Sequence, residues 1–233
     1  MMDLHNHTTY SDGRFSPRDI IEAAIKAGLS AVGIADHYRT TRTRSLAPPS
    51  LEEYQEHVRR LATHYKDKIK VLVGVEVDAS PDRTEDLGYL PLAQFNKLDF
   101  VMFEHVQDEQ AGGMGLWELF DMRKELEPPV GLAHNDIARN FADIDPSVLI
   151  PVLETNHIFL ELCPGQRHAR LQRPQYRQSL DFYTRLKGTM VGLSVGSDSH
   201  DSLEEVGDVG DAYAFVRELG LEKNLIEEKP GDS

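Results

Sequence analysis

The chain has 233 residues, a formal net charge of −14, 40% hydrophobic and 27% charged side chains, and a single cysteine, Cys163. The length suits one large domain with a substantial core, and no stretch approaches the ~20 apolar residues that a membrane helix needs. The acidic balance argues against extended DNA as a partner, because such binding depends on Lys and Arg neutralising phosphates, and the lone cysteine without a basic-then-apolar leader points to the reducing cytoplasm.

Along the chain, short β-like segments alternate with longer amphipathic ones. The strand candidates are 2–4, 31–35, 71–77, 100–103, 130–133, 158–162 and 190–195. The helix candidates are 17–27, 51–65, 115–126, 146–153, 174–186 and 211–219. Ser16 before Pro17 reads as an N-cap with proline in the first turn, and Gly28 as a C-terminal stop. Two arginine clusters, Arg39, Arg42 and Arg44 and then Arg167, Arg170 and Arg173, stand outside these segments. Residues 222–233, rich in Glu and Lys and ending in Pro-Gly-Asp-Ser, read as a flexible tail, leaving 1–221 as the domain. Continuous apolar strands between amphipathic helices imply parallel strands covered on both faces. Periodicity leaves a closed barrel and an open doubly wound sheet as alternatives.

Residue types that bind metals recur at the strand ends. His5 and His7 follow the first candidate strand, Asp36 and His37 the second, and Glu76 closes the third. Glu104 and His105 follow the fourth, His134 the fifth, and Asp198 and His200 the seventh. Side chains at i and i+2 of a strand share a face, so His5 and His7 present two imidazoles to one side, and the turn at Gly13 returns Asp12 to add a carboxylate. In a parallel barrel such strand ends converge on one mouth. Imidazoles and carboxylates without thiolates suit Zn, Mn or Fe, and Glu76 can bridge two ions. Asp36 and Glu104, each preceding a histidine of this set, are expected to point elsewhere and to orient imidazoles by hydrogen bonds. His57 and His64 lie on a helix and His157 opens a strand at the far end, so they read as solvated or packing residues, and Cys163 as a small core residue. His168, between Arg167 and Arg170, is a candidate for substrate contact.

The ordered set HNH with the following SDG, then ADH, GVE, the isolated His105, LAHND and SDSH, spread over residues 5–200, resembles the PHP superfamily, named for polymerase and histidinol phosphatase. The resemblance implies a single-domain, TIM-barrel-like distorted (β/α)7 barrel with two or three divalent ions, Zn, Mn or Fe, at its mouth. It implies His5, His7, Glu76 and Asp198 around one ion, Glu76 bridging to a second held by His105 and His134, and Asp12, His37 and His200 around a third. The sequence departs from many members in placing Glu104 before His105 and in its long basic loop at 38–50.

The resemblance implies a histidinol phosphatase-like hydrolase. It would cleave a small phosphate monoester, of histidinol-phosphate or nucleotide type, by in-line attack of metal-activated hydroxide. Arg39, Arg42, Arg167, His168 and Arg170 are the candidate substrate-binding residues, with Asp198 and His200 as catalytic residues. A small phosphorylated molecule is the expected partner. One alternative is a carbon–nitrogen amidohydrolase, whose barrel also begins with HxH but relies on a lysine bridge where Glu76 stands here. Another is a non-enzymatic metal-binding module, which predicts lost ligand positions.

Overall fold

The computed structural model describes residues 1–80, 90–166 and 172–226. Among these, the strands are β1 (Met2–Asp3), β2 (Ala31–Ile34), β3 (His37–Tyr38), β4 (Lys70–Asp78), β5 (Phe100–Glu104), β6 (Val130–Leu132), β7 (Ile158–Leu162) and β8 (Leu193–Val195). Every pairing is parallel, in the order β1-β2-β4-β5-β6-β7-β8 with β3 beside β4. β2 and β3 hold one register against β4, with Ile34 opposite Val73 and His37 opposite Glu76, so they are two pieces of one strand interrupted at Ala35 and Asp36. The two ends of the sheet meet: Leu4 N donates to Val195 O at 2.8 Å, Asp198 N to His5 O at 2.9 Å and His7 N to Ser199 O at 3.0 Å. The sheet therefore curls into a distorted (β/α)7 barrel, and the open-sheet alternative falls.

Around it lie α1 (Pro17–Lys26), α2 (Pro48–Tyr65), α3 (Leu92–Phe95), α4 (Leu116–Arg123), α5 (Ile137–Asn140), α6 (Pro146–Thr155), α7 (Leu180–Thr184) and α8 (Gly210–Leu219). α1 begins with a capping box in which Ser16 accepts from Asp19 N and Asp19 accepts from Ser16 N. α2 starts three residues ahead of the expected 51, because Pro48 and Pro49 already carry the φ of a first turn. The helix expected over 174–186 is divided into a 3-10 turn at Gln175–Gln178 and the short α7. Side-chain ties to α8 hold the turn: Tyr176 and Arg177 both bond Asp211, and Arg177 also reaches Glu218. Part of the expected tail is packed, since Ile226 N donates to Leu193 O at 2.8 Å and Asn224 caps three carbonyls at 3.0–3.2 Å. The described chain ends there.

Two apolar clusters flank the strands. Val73, Val75, Val77, Val101, Phe103, Leu160 and Leu162 face the helices in the larger one. Ala35, Phe100, Met102, Ala133 and Phe159, with Leu72 packed against them, form a second cluster on the opposite strand face. Period-two alternation puts this second set inside the barrel. Two glycines there make room for the rings: a Cβ on Gly74 would lie 2.3 Å from Phe100 and one on Gly131 2.1 Å from Phe159. The rings fill the barrel beneath the polar residues that follow them along each strand.

Candidate metal centre

Going up β4 from Leu72, the inward positions are Gly74, Glu76 and Asp78, and the continuation of β1 adds His5 and His7 at the same level. His5 Nε2 and His7 Nε2 lie 2.9 Å apart, and each is 3.4 Å from Glu76 Oε2. Asp198 Oδ1 is 3.1 Å from His7 Nε2 and 3.7 Å from His5 Nε2. Four ligand atoms thus converge, with separations that bracket the roughly 3.3 Å edge of a tetrahedron whose corners lie about 2.0–2.1 Å from its centre. His5, His7 and Glu76 are fully buried.

Glu76 is shared with further imidazoles. His134 Nε2 is 2.8 Å from its Oε1 and His37 Nδ1 2.9 Å from its Oε2. Despite these short separations both Glu76 oxygens and His37 Nδ1 lack hydrogen-bond geometry. Leaving buried polar atoms unsatisfied costs about 1–3 kcal/mol each, so lone pairs aimed at shared points rather than at protons fit divalent cations. Asp12 gathers another group: its Oδ1 is 3.4 Å from His200 Nε2 and 3.7 Å from His7 Nδ1, and its Oδ2 is 3.7 Å from His37 Nε2. Ligand atoms from His7, Asp12, His37 and His200 lie within 4.8 Å of one another, as do those from Asp78, Glu104 and His105. The structure therefore sets His105 beside Glu104 and Asp78, with Nε2 3.1 Å from Glu104 Oε2.

Charge follows this geometry. Burial alone would raise Glu76, but His5, then His37 and His134, hold it well below the usual carboxylate range. Burial opposes charge on His37 and His134, yet Glu76 foremost raises them to about 9 and about 10. Burial also opposes charge on His5, which Glu161, Glu76 and Asp198 raise well above 6.5. Burial, helped by charge on His37 and His5, takes His7 the other way, to about 3, leaving one ring nitrogen with its lone pair available.

Neighbouring side chains fix the candidate ligands. Glu161, a single acid in the apolar run IFLEL that sequence reading passed over, accepts from His5 Nδ1 at 3.0 Å and from His134 N at 2.8 Å. Gln166, also unmarked by the sequence, donates to Asp198 Oδ2 at 2.8 Å. Asp36 does not orient an imidazole as expected. It accepts from Thr8 N and Oγ1 at 2.7 Å and from Ser11 N and Oγ at 3.0 and 2.6 Å, holding the turn that carries His7 to Asp12. Glu104 faces the mouth, because Phe100 and Met102 put that parity of β5 inside, and His105 joins it only through a left-handed φ of 62°. His134 and Asp198 also have positive φ, 30° and 60°. Non-glycine residues in this region are strained and gather at functional sites.

A cleft of about 310 Å³ opens over these groups, lined by His37, Glu104, His105, His134, Asp198 and His200 among others. Of the candidate substrate residues, Arg42 reaches the group, with Nη1 2.9 Å from His105 Nε2 and Nε 3.7 Å from Asp78 Oδ2. Thr40 anchors the basic loop by donating to Asp78 Oδ2 at 2.7 Å. Arg39 does not line the cleft. Arg167, His168 and Arg170 lie outside the described residues. Cys163 is buried against Ser197 O at 3.8 Å, and burial, then Asp198 and Glu161, push its thiol well up, which leaves no nucleophile there. His57 meets Tyr10 on the outer surface of the barrel.

The PHP domain family model matches residues 3–214. The chain belongs to the PHP domain family. Over 95 residues it is 36% identical to the DNA polymerase/3'-5' exonuclease PolX of Bacillus subtilis (strain 168), a match that takes in 40% of this chain and 16% of that much longer protein. The PHP fold is shared with a histidinol phosphate phosphatase from Lactococcus lactis subsp. lactis, crystallised with zinc, L-histidinol and phosphate. That superposition has a TM-score of 0.66 at 19% identity and covers 95% of this chain and 94% of that one. A Listeria monocytogenes protein assigned as a histidinol phosphatase superposes with a TM-score of 0.63 at 15% identity over 91% of this chain and all of that one. Among the described residues no helix is long and apolar enough to cross a membrane.

Proposed function

We propose that this PHP domain is a metal-dependent phosphoesterase acting on a small phosphate monoester, with a leaving alcohol of histidinol or nucleotide type. The observation that carries the reading is the buried Glu76 carboxylate, with both oxygens lacking hydrogen bonds, surrounded by the rings of His5, His7, His37 and His134. The zinc, L-histidinol and phosphate in the Lactococcus lactis enzyme support the same metal and substrate class here. His5, His7, Glu76 and Asp198 would hold one ion, Glu76 and His134 would belong to a second, with His105 apart from them beside Glu104 and Asp78, and Asp12, His37 and His200 would hold a third. A single buried cysteine suits the reducing cytoplasm, where we place the protein.

Divalent ions so bound neutralise phosphoryl oxygens and acidify water. The chain's own residues supply position and proton traffic. Glu161 and Asp36 keep the His5 ring and the His7 turn in place, so the donors need not reorganise as charge develops. Asp198 remains an anion: burial would raise it, but His5 and its neighbours hold it far below the usual carboxylate range. His200 stands at the cleft edge with its Nδ1 on Asp198 O at 2.9 Å; burial opposes its charge, but Asp12 and Asp198 raise it above its ordinary value. Where its Nε2 is not engaged by an ion, it would be the group that gives a proton to the departing alkoxide. Arg42 is placed to meet phosphoryl oxygens from the loop side.

Elemental analysis of protein purified without a chelating column, with phosphate release measured on histidinol phosphate, nucleotides and an aryl phosphate, tests the reading. Two or three ions per chain with release from one ester class are expected, and His5→Ala or Asp198→Ala should abolish that release. A filled centre that cleaves none of these esters would refute it and favour carbon–nitrogen hydrolysis or a binding role.

A further inference from the structure

Arg139 is the one arginine or lysine lining the cleft among the described residues. It belongs to α5, the short helix reached directly after His134. Its guanidinium is held from one side: Nη2 donates to Asp108 Oδ2 at 2.6 Å, Nε to Asn140 Oδ1 at 2.9 Å and Nη1 to Gln110 Oε1 at 3.4 Å. These bonds use three of the five N–H groups that an arginine carries, leaving one on each terminal nitrogen. The side chain is 46% exposed, whereas that of its anchor Asp108 is 10% exposed. Gln110 N fixes Asp108 Oδ1 at 3.1 Å, and Asp108 Oδ2 also lies 3.8 Å from His105 Nδ1. One buried carboxylate thus stands between the arginine and His105.

A phosphoryl group brings non-bridging oxygens that a guanidinium can meet with two parallel N–H bonds. An arginine already fixed by a buried carboxylate loses little side-chain freedom when it binds. We propose that Arg139 is a second substrate-binding arginine beside Arg42 and the one that lines the cleft itself, gripping the phosphoryl oxygens through its two remaining terminal N–H groups, and that Asp108 is its positioning residue. The inference deepens the phosphoesterase reading and rests on it for the identity of the ester.

The test compares wild type, Arg139→Ala, Arg139→Lys and Asp108→Asn in the metal-loaded protein. Inorganic phosphate is titrated by calorimetry, and KM and kcat are measured on an aryl phosphate. Arg139→Ala should weaken phosphate binding and raise KM by about 10- to 100-fold, the loss expected for charge-assisted hydrogen bonds. Metal content should stay at the wild-type value, and melting temperature, measured alongside, records the loss of the Arg139–Asp108 pair separately from the loss of binding. Arg139→Lys should recover only part, because an ammonium keeps charge without the fork, and Asp108→Asn should fall between. Phosphate binding in Arg139→Ala as tight as in wild type, or no phosphate binding by wild type, would overturn the proposal. A wild type that binds phosphate through Arg139 yet cleaves no ester would sustain the proposal and sink the phosphoesterase reading.

Discussion

Replacing Glu76 with glutamine keeps the shape of the side chain and removes the one charge that four imidazoles share. In metal-free protein the consequence can be sized from His134, which burial would lower and Glu76 chiefly raises from 6.5 to about 10. A histidine raised in the folded state contributes stability that is complete below its unfolded value near 6.5 and is lost as pH rises through about 10. At pH 7 about three units remain, or roughly 4 kcal/mol at 1.36 kcal/mol per unit. Asp198 and Glu161 supply part of the raising, so Glu76→Gln should cost roughly 2–4 kcal/mol at pH 7. The deficit should shrink toward pH 10 and vanish above it. Denaturant unfolding of chelator-treated protein between pH 6 and 10.5 measures this, with the His134 ring titrated by NMR in parallel. The metal-loaded comparison adds a second readout. Loss of a bridging carboxylate should weaken binding by at least about 100-fold, the upper end of what supporting residues alone contribute. Equal stability of the two metal-free proteins at pH 7, or a deficit indifferent to pH, would refute the electrostatic argument.

Metal uptake at pH 7 should release at least about three protons per chain, since His5, raised well above 6.5, His37 at about 9 and His134 at about 10 are protonated in the metal-free protein and a ligand must be neutral. Apparent affinity then rises with pH up to those values, and calorimetry in buffers of different ionisation enthalpy would contradict this by finding no proton release. Glu161→Gln should lower metal affinity by about 10- to 100-fold while leaving the fold intact, because it loosens the His5 ring and the His134 backbone together; an unchanged chelator competition would count against that role. Gly131→Ala puts a Cβ 2.1 Å from the Phe159 ring, and overpacking of this kind should cost about 1–3 kcal/mol, at roughly 2–4 °C of melting temperature per kcal/mol. An unaltered melting temperature would show that the ring has room to move.

Much of the barrel is legible in the sequence because strands buried on both faces read as short continuous apolar runs between caps and breakers. What escaped reading was decided by contacts distant in sequence. The interruption between β2 and β3 falls at Asp36, whose carboxylate is committed to the backbone and hydroxyls of Thr8 and Ser11, 25 to 28 residues earlier. The division of 174–186 likewise depends on Asp211 and Glu218, more than 30 residues downstream. No local pattern in either segment announces its partner.

The candidate site raises a different problem, because the information was present and was counted from the wrong place. Reading strand by strand for histidine found His5, His7, His37 and His134, but it assigned Glu104 away from the mouth by taking His105 as the inward residue. The apolar residues beneath set the parity instead. Phe100 and Met102 are inside, so Glu104 is inside by alternation, just as Leu72 and Gly74 lead to Glu76 and Asp78, and Phe159 leads to Glu161. By that rule His105 and His134 fall on the outward parity of their strands, and only a left-handed backbone turns them toward the acids. Sequence alone signals neither turn, since histidine tolerates this conformation without requiring it. Glu76, Asp78, Glu104 and Glu161 thus follow from the period of the strand, whereas Asp198 and two of the histidines depend on a local break in that period where the strands end.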